Sequence, residues 1–158
     1  QFKQRQKEVL IQQLKLAQEL NLPVIFHCRS AHDDLISEIR SRNEIGSPNM
    51  RGVVHCFTGT WEQAQKYLEM GFYLGFNGII FKLDLDDIIQ KTPLERILIE
   101  TDCPFMTPEP HRSQGVKRNE PAYVIEIARK IAEIKKIPFS KVAKQTTKNA
   151  RELFKLKK

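Results

Sequence analysis

Cysteine is scarce in this chain and never closely spaced: Cys28, Cys56 and Cys103 are odd in number and form no Cys-x-x-Cys pair. That excludes a disulfide framework and a cysteine zinc site as organising devices, and reduced thiols are expected. No apolar run is long enough to span a bilayer and no secretory apolar segment opens the sequence. The expected setting is therefore cytoplasmic or nuclear, not secreted and without a membrane partner. No linker or low-complexity segment divides the chain, so one domain over 1–158 is expected. Acidic residues are outnumbered: Lys+Arg 26 against Asp+Glu 19 gives a net charge of +7 and a pI of 9.4. This balance suits a polyanionic partner, although solvated lysine faces produce the same numbers. With 41% hydrophobic and 28% charged residues in 158, a core can be buried.

What is present is a repeated pattern. Three short apolar runs each end in a metal-capable side chain: Pro23-Val-Ile-Phe-His27, Gly52-Val-Val-His55 and Arg96-Ile-Leu-Ile-Glu-Thr-Asp102. Buried parallel strands read as continuous apolar runs, and in barrels built from them the chemistry sits where the strands end. Two imidazoles and a carboxylate at one rim suit a hydrolytic divalent metal site with positions left for water and substrate.

Helical spacing fills the intervals. Leu10, Leu14 and Ala17 share one face of a helix expected over Phe2 to Leu20, stopped by Asn21 and Pro23 before a strand from Val24 to His27. Leu35, Ile36 and Ile39 predict a second helix over Asp33 to Arg40, and the segment Asn43 to Asn49 is turn-rich. Thr60-Trp-Glu-Gln63 fits a capping box for a helix running to Met70 and closed by Gly71. Phe72 to Asn77 then reads as a strand, Leu85 to Gln90 as a weaker helix and Arg96 to Thr101 as a fourth strand. Asn119 and Pro121 mark a helix ending near Lys136, with Ser140 and Thr147 as caps of two shorter helices. The alternation implies parallel βα units with right-handed crossovers. Four units make an open sheet or half of an eight-stranded barrel, since a complete barrel typically takes about 250 residues.

Side chains alternate across a strand, so His27 and Cys28 point to opposite faces, as do His55 and Cys56; the cysteines read as small apolar fillers. An isolated strand-end histidine is ordinarily a hydrogen-bonded core residue, but two in equivalent positions on successive units favour a shared role. Asp102 follows an apolar strand, where a carboxylate is costly unless a metal or cation compensates it. Glu100, two residues earlier, either orients ligands or water or forms a structural ion pair. Arg29 is placed for bidentate phosphate recognition or for a salt bridge to Asp33. His32 reads as part of a solvated helix start. His111, Arg112, Lys117 and Arg118 lie in the long loop after Asp102 and form its best basic patch for a substrate-contacting loop.

In order, Asn21-Leu-Pro-Val-Ile-Phe-His27-Cys-Arg-Ser-Ala31, Arg51-Gly-Val-Val-His55-Cys-Phe-Thr-Gly-Thr60, Ile99-Glu-Thr-Asp102-Cys-Pro-Phe105 and Lys117-Arg-Asn-Glu-Pro121 resemble the TatD family of metal-dependent deoxyribonucleases, within the amidohydrolase-like barrel superfamily. The resemblance covers nearly the whole chain. It implies an α/β (β/α)8 TIM barrel, of which this chain carries the last four βα units, 1–158 being the C-terminal part of a single hydrolase barrel. It implies His27, His55 and Asp102 as metal ligands on strands five, six and eight, with Phe72 to Asn77 as strand seven. Family members begin with a His-x-His strand and carry a metal-bridging Glu on strand four, and neither motif is in this sequence. With Gln1 in place of methionine and a helix as the opening element, a fragment or truncated gene model is expected, with the N-terminal half-barrel as its missing partner.

The implied activity of the complete protein is hydrolysis of phosphodiester bonds in DNA, single-stranded or frayed at its ends. Two divalent ions per complete site are implied, with magnesium, manganese and zinc undistinguished. Asp102 would bind the first ion and accept a proton from the attacking water, while His27 and His55 would bind mainly the second. Arg29, Arg112 and Arg118 are the candidates for phosphate, with Glu100 and Glu120 behind them. The alternatives are a related barrel hydrolase acting on an amide, lactone or small phosphoester, and a non-catalytic half-barrel binding nucleic acid or another chain. The fragment alone is expected to be a poor nuclease that associates with itself.

Overall fold

The computed structural model describes residues 2–43 and 50–157; the turn expected over Asn43 to Asn49 falls outside them except for Asn43, the last residue of a helix. Helices and strands alternate through most of the chain. The order is α1 (Phe2–Glu19), β1 (Val24–His27), α2 (His32–Asn43), β2 (Gly52–His55), α3 (Trp61–Glu69), β3 (Tyr73–Phe76), α4 (Asp86–Lys91), β4 (Ile97–Ile99), α5 (Val124–Lys135) and α6 (Phe139–Phe154). Single 3-10 turns at Gly78–Phe81, Leu94–Arg96 and Pro121–Tyr123 join some of them. The four strands form one parallel sheet in sequence order, with His27 level with His55 across the first pair.

The local signals act as their chemistry requires. Thr60 accepts from the Gln63 amide while the Gln63 side chain accepts from the Thr60 amide, so α3 starts on a reciprocal cap. Gly71 takes φ +84° just past Met70 and turns the chain into β3. The two helices expected after Lys136 are one: Ser140 lies in the first turn of α6, and Thr147 lies inside it. The neighbouring Thr146 returns its hydroxyl to the Val142 carbonyl, so hydroxyls in this stretch serve the helix interior instead of ending it.

Strand alternation divides the core. Phe26, Val54, Leu74, Phe76 and Ile97 pack under the helices, with Phe57, Tyr67, Phe72 and Ile131 fully buried among them. On the opposite face Val53, Tyr73 and Leu98 are covered by Leu153, Ala150 and Phe154 of α6. Asn149 locks that helix to the sheet by donating to the Leu94 and Ile97 carbonyls at 2.9 and 2.8 Å. Further up this second face, at the C-terminal strand ends, stand the polar residues of the site. No helix among the described residues is long and apolar enough to cross a membrane.

Candidate active site at the strand ends

His55 is the centre of the site. It ends β2 half-buried, its Nδ1 2.8 Å from Glu100 Oε1 and its Nε2 3.2 Å from Asp102 Oδ1. The same Glu100 oxygen accepts the Cys56 amide at 2.6 Å, so one carboxylate fixes both the imidazole and the backbone that carries it. Both acids sit just past β4, close enough in sequence and space to flank one ring. The hydrogen bond to Glu100 and the negative charges of both acids raise the His55 pKa, against the opposing effect of burial.

A glycine makes this possible. Gly75 lies in the middle of β3, where a Cβ would meet Glu100 Oε2 at 2.8 Å, so any larger residue displaces the carboxylate from His55. An isolated glycine inside a buried strand is the sequence signal by which Gly75 could have been found, since it marks a close approach. Gly78 is similar: its missing side chain leaves room for the Met106 carbonyl, bringing the loop after Asp102 onto the end of β3. Asn119 grips that loop from the other side, donating to the Phe105 carbonyl at 2.7 Å and to Met106 at 3.2 Å.

The donor chemistry fits a cation. A neutral His55 that donates Nδ1–H to Glu100 would have its Nε2 lone pair facing the Asp102 carboxylate 3.2 Å away. Two lone pairs at that separation repel unless a proton or metal ion lies between them, and a carboxylate behind a histidine is the usual support of a ligating imidazole. His27 stands on the neighbouring strand with its ring centroid 5.9 Å from that of His55. Among the described residues no three His, Cys, Asp or Glu side chains converge closely enough to hold an ion by themselves. His55 and Asp102 are thus a pair of donors, with His27 one ring away.

Other residues singled out in the sequence lie as follows. Arg29 is exposed and lines, with His27, a cleft of about 1120 Å³ between α1, β1 and α2. Asp33, offered as its ion-pair partner, instead accepts from Gln63 at 3.0 Å and faces Lys66. Arg112, Lys117 and Arg118 are exposed on the loop. Glu120 is also exposed, at the entry to the Pro121–Tyr123 turn, and contributes its backbone there. His111 turns inward, stacked on Tyr123 at 3.8 Å with its Nε2 3.5 Å from the buried Glu126, so it anchors the loop to α5. His32 is not a solvated helix start: it is 5% exposed, its Nδ1 3.2 Å from the Tyr67 hydroxyl and its ring against Phe57. Of the cysteines, Cys28 is a buried filler, whereas Cys56 is half-buried and Cys103 exposed.

A parallel α/β sheet with its polar side chains gathered at the C-terminal strand ends has them where barrels and open α/β sheets of enzymes place their sites. The family model described as TatD related DNase matches residues 1–155, and the chain belongs to that family. It is 44% identical over 154 residues to a Bacillus subtilis protein named as an uncharacterized metal-dependent hydrolase, YabD, covering 96% of this chain and 58% of that one. It is 35% identical over 157 residues to a 3'-5' ssDNA/RNA exonuclease TatD of Escherichia fergusonii, covering 96% and 59%. The crystal structure of YJJV, a TatD homolog from Escherichia coli, superposes with a TM-score of 0.86 at 30% identity, over 98% of this chain and 58% of that one. The chain therefore spans less than two thirds of the length of these relatives.

Proposed function

We propose that this chain supplies part of a metal-dependent phosphodiesterase site acting on DNA. The observation that carries the reading is His55, oriented by Glu100 and turned towards Asp102 across 3.2 Å. His55 and Asp102 are the residues that hold an ion, with His27 contributing from β1. Such an ion polarises phosphate and lowers the pKa of water. Asp102 is also the proton acceptor for the attacking water, and Arg29 with Arg112 and Arg118 holds the phosphate. The names of the relatives, which include a ssDNA/RNA exonuclease, support nucleic acid as the substrate class and favour single strands or frayed ends.

In this reading, the rest of the ligand set and the strands that close a barrel come from residues beyond those of this chain. Three facts support it: the sheet has four strands among the described residues, Ile25 of β1 is 61% exposed, and the chain spans 58–59% of the relatives it matches.

Metal titration by calorimetry and cleavage of labelled single-stranded DNA, duplex DNA and a lactone test the reading in the protein bearing the complete ligand set. Asp102→Asn is expected to cut metal-dependent DNA turnover by about a hundred-fold or more with little loss of fold. Near-normal turnover of Asp102→Asn at saturating manganese removes Asp102 from the site. Turnover of the lactone without DNA cleavage moves the substrate class to the related hydrolases.

A further inference from the structure

Phe105 stands out among the exposed apolar residues because its backbone is fixed while its ring is free. Its amide donates to the Asp102 carbonyl at 2.7 Å, its carbonyl accepts from Asn119 Nδ2 at 2.7 Å, and the Asn119 amide in turn donates to the Pro104 carbonyl at 2.9 Å. The next carbonyl, of Met106, lies over Gly78. This rigid peptide nevertheless presents a ring that is 73% exposed, three residues from Asp102. An immobilised aromatic face loses little freedom on binding a flat partner, unlike an aromatic on a mobile loop.

The surroundings specify the partner. Lys82 reaches the same loop, its Nζ 3.5 Å from Met106 Sδ, and exposed Arg112, Lys117 and Arg118 lie further along it. An exposed aromatic face on a loop that also carries exposed cations, three residues from Asp102, has the components by which proteins hold single-stranded nucleic acid: a base stacks on the ring and the backbone lies among the charges. We propose that Phe105 is the stacking platform for an unpaired nucleobase adjoining the phosphate at Asp102. The inference rests on the nuclease reading above and deepens it by assigning a base subsite. Stacking on an aromatic face also explains how a site recognises any base without reading its edge.

Fluorescence anisotropy of the protein bearing the complete ligand set, with a labelled oligothymidylate and with an abasic oligonucleotide of equal length, tests it. Phe105→Ala is expected to weaken oligothymidylate binding roughly 5- to 30-fold and to leave the abasic strand unchanged. Phe105→Trp is expected to restore binding, with its emission quenched by the oligothymidylate. Equal binding of oligothymidylate by wild type and Phe105→Ala overturns the platform while leaving the nuclease reading in place. Failure of that wild-type protein to bind either strand overturns both. A lowered melting temperature for Phe105→Ala with unchanged DNA binding makes Phe105 a packing residue and also overturns the platform.

Discussion

The two flanks of the sheet are built to different standards. β3 is buried at all four positions, with strands on both sides, helices over one face and α6 across the lower part of the other. Among the described residues β1 has one neighbouring strand, and of its four residues Phe26 alone is buried. α1, beside it, buries Leu14 alone and leaves Phe2, Val9 and Leu16 exposed, held to α2 by the Lys3–Asp34 and Lys7–Glu38 pairs. Lys3–Asp34 is exposed and Lys7–Glu38 half-buried, and solvent screens the attraction in pairs so close to the surface. The inner flank is therefore stabilised by apolar burial on both faces of its strand, whereas β1 and α1 bury Phe26 and Leu14 and otherwise lean on Leu35, Ile36 and Ile39 of α2. His55, Glu100 and Asp102 rest on the first, and His27 and Arg29 on the second, so the better-formed half of the site is the one on the better-packed half of the sheet.

The strongest way to break this contrast is to excavate the packed flank. Phe72→Ala removes a fully buried ring that meets Phe26 edge-on at 5.4 Å. It is expected to cost about 3–5 kcal/mol in urea denaturation. A loss no larger than that of a surface substitution would mean that the core is loosely packed there.

A smaller effect is expected at the polar lock between α6 and the sheet. Asn149→Leu removes the donor that satisfies two buried carbonyls. It should cost about 1–3 kcal/mol, and unchanged stability would show that water replaces the amide.

Next comes a pH effect. Burial pushes the His32 pKa down, partly offset by the nearby Asp33 charge, so the folded chain keeps the ring neutral. Above about pH 6.5 the ring is neutral folded or unfolded and contributes no pH dependence. As pH falls below that value the unfolded chain takes up a proton that the folded one refuses, and stability is lost until the depressed folded pKa is passed. Wild type should therefore lose more stability than His32→Gln between pH 7.5 and pH 5, read from urea midpoints without metal. Parallel losses would show that His32 titrates freely.

The smallest expected effect sharpens the contrast from the other side. Ile25→Lys places a charge on the open edge where the isoleucine is 61% exposed. Stability should move by no more than about 0.5 kcal/mol, while light scattering should show less self-association than wild type. A large loss of stability would mean that β1 is covered in solution by a part of the same molecule.

Much of this was legible in the residues. Thr60, Gln63 and Gly71 bounded α3 because a capping box and a left-handed C-terminal glycine are satisfied within one turn and need no tertiary partner. The strand ends at His27 and His55 were legible because apolar runs must be buried and the first polar residue marks where burial stops. Misreadings came where a distant partner decided. Ser140 and Thr147 are good caps locally, but α6 is held as one helix by packing on β4 and by Asn149. His111 reads as a basic-loop residue until Tyr123, at the end of the turn before α5, and Glu126 of α5 claim it.

The sequence by itself determined the alternation of elements, the parallel sheet, the rim residues and the family, because periodicity, caps and ordered motifs are properties of neighbours along the chain. Only the tertiary structure decided that Glu100 serves the His55 ring and the Cys56 amide together, that Gly75 makes room for it, and that His32 is buried while Phe105 is exposed. The physical reason is range. Helix and turn preferences are settled within a few residues, whereas hydrogen bonding, burial and pKa depend on groups that are brought together only when β2, β3 and β4 pair.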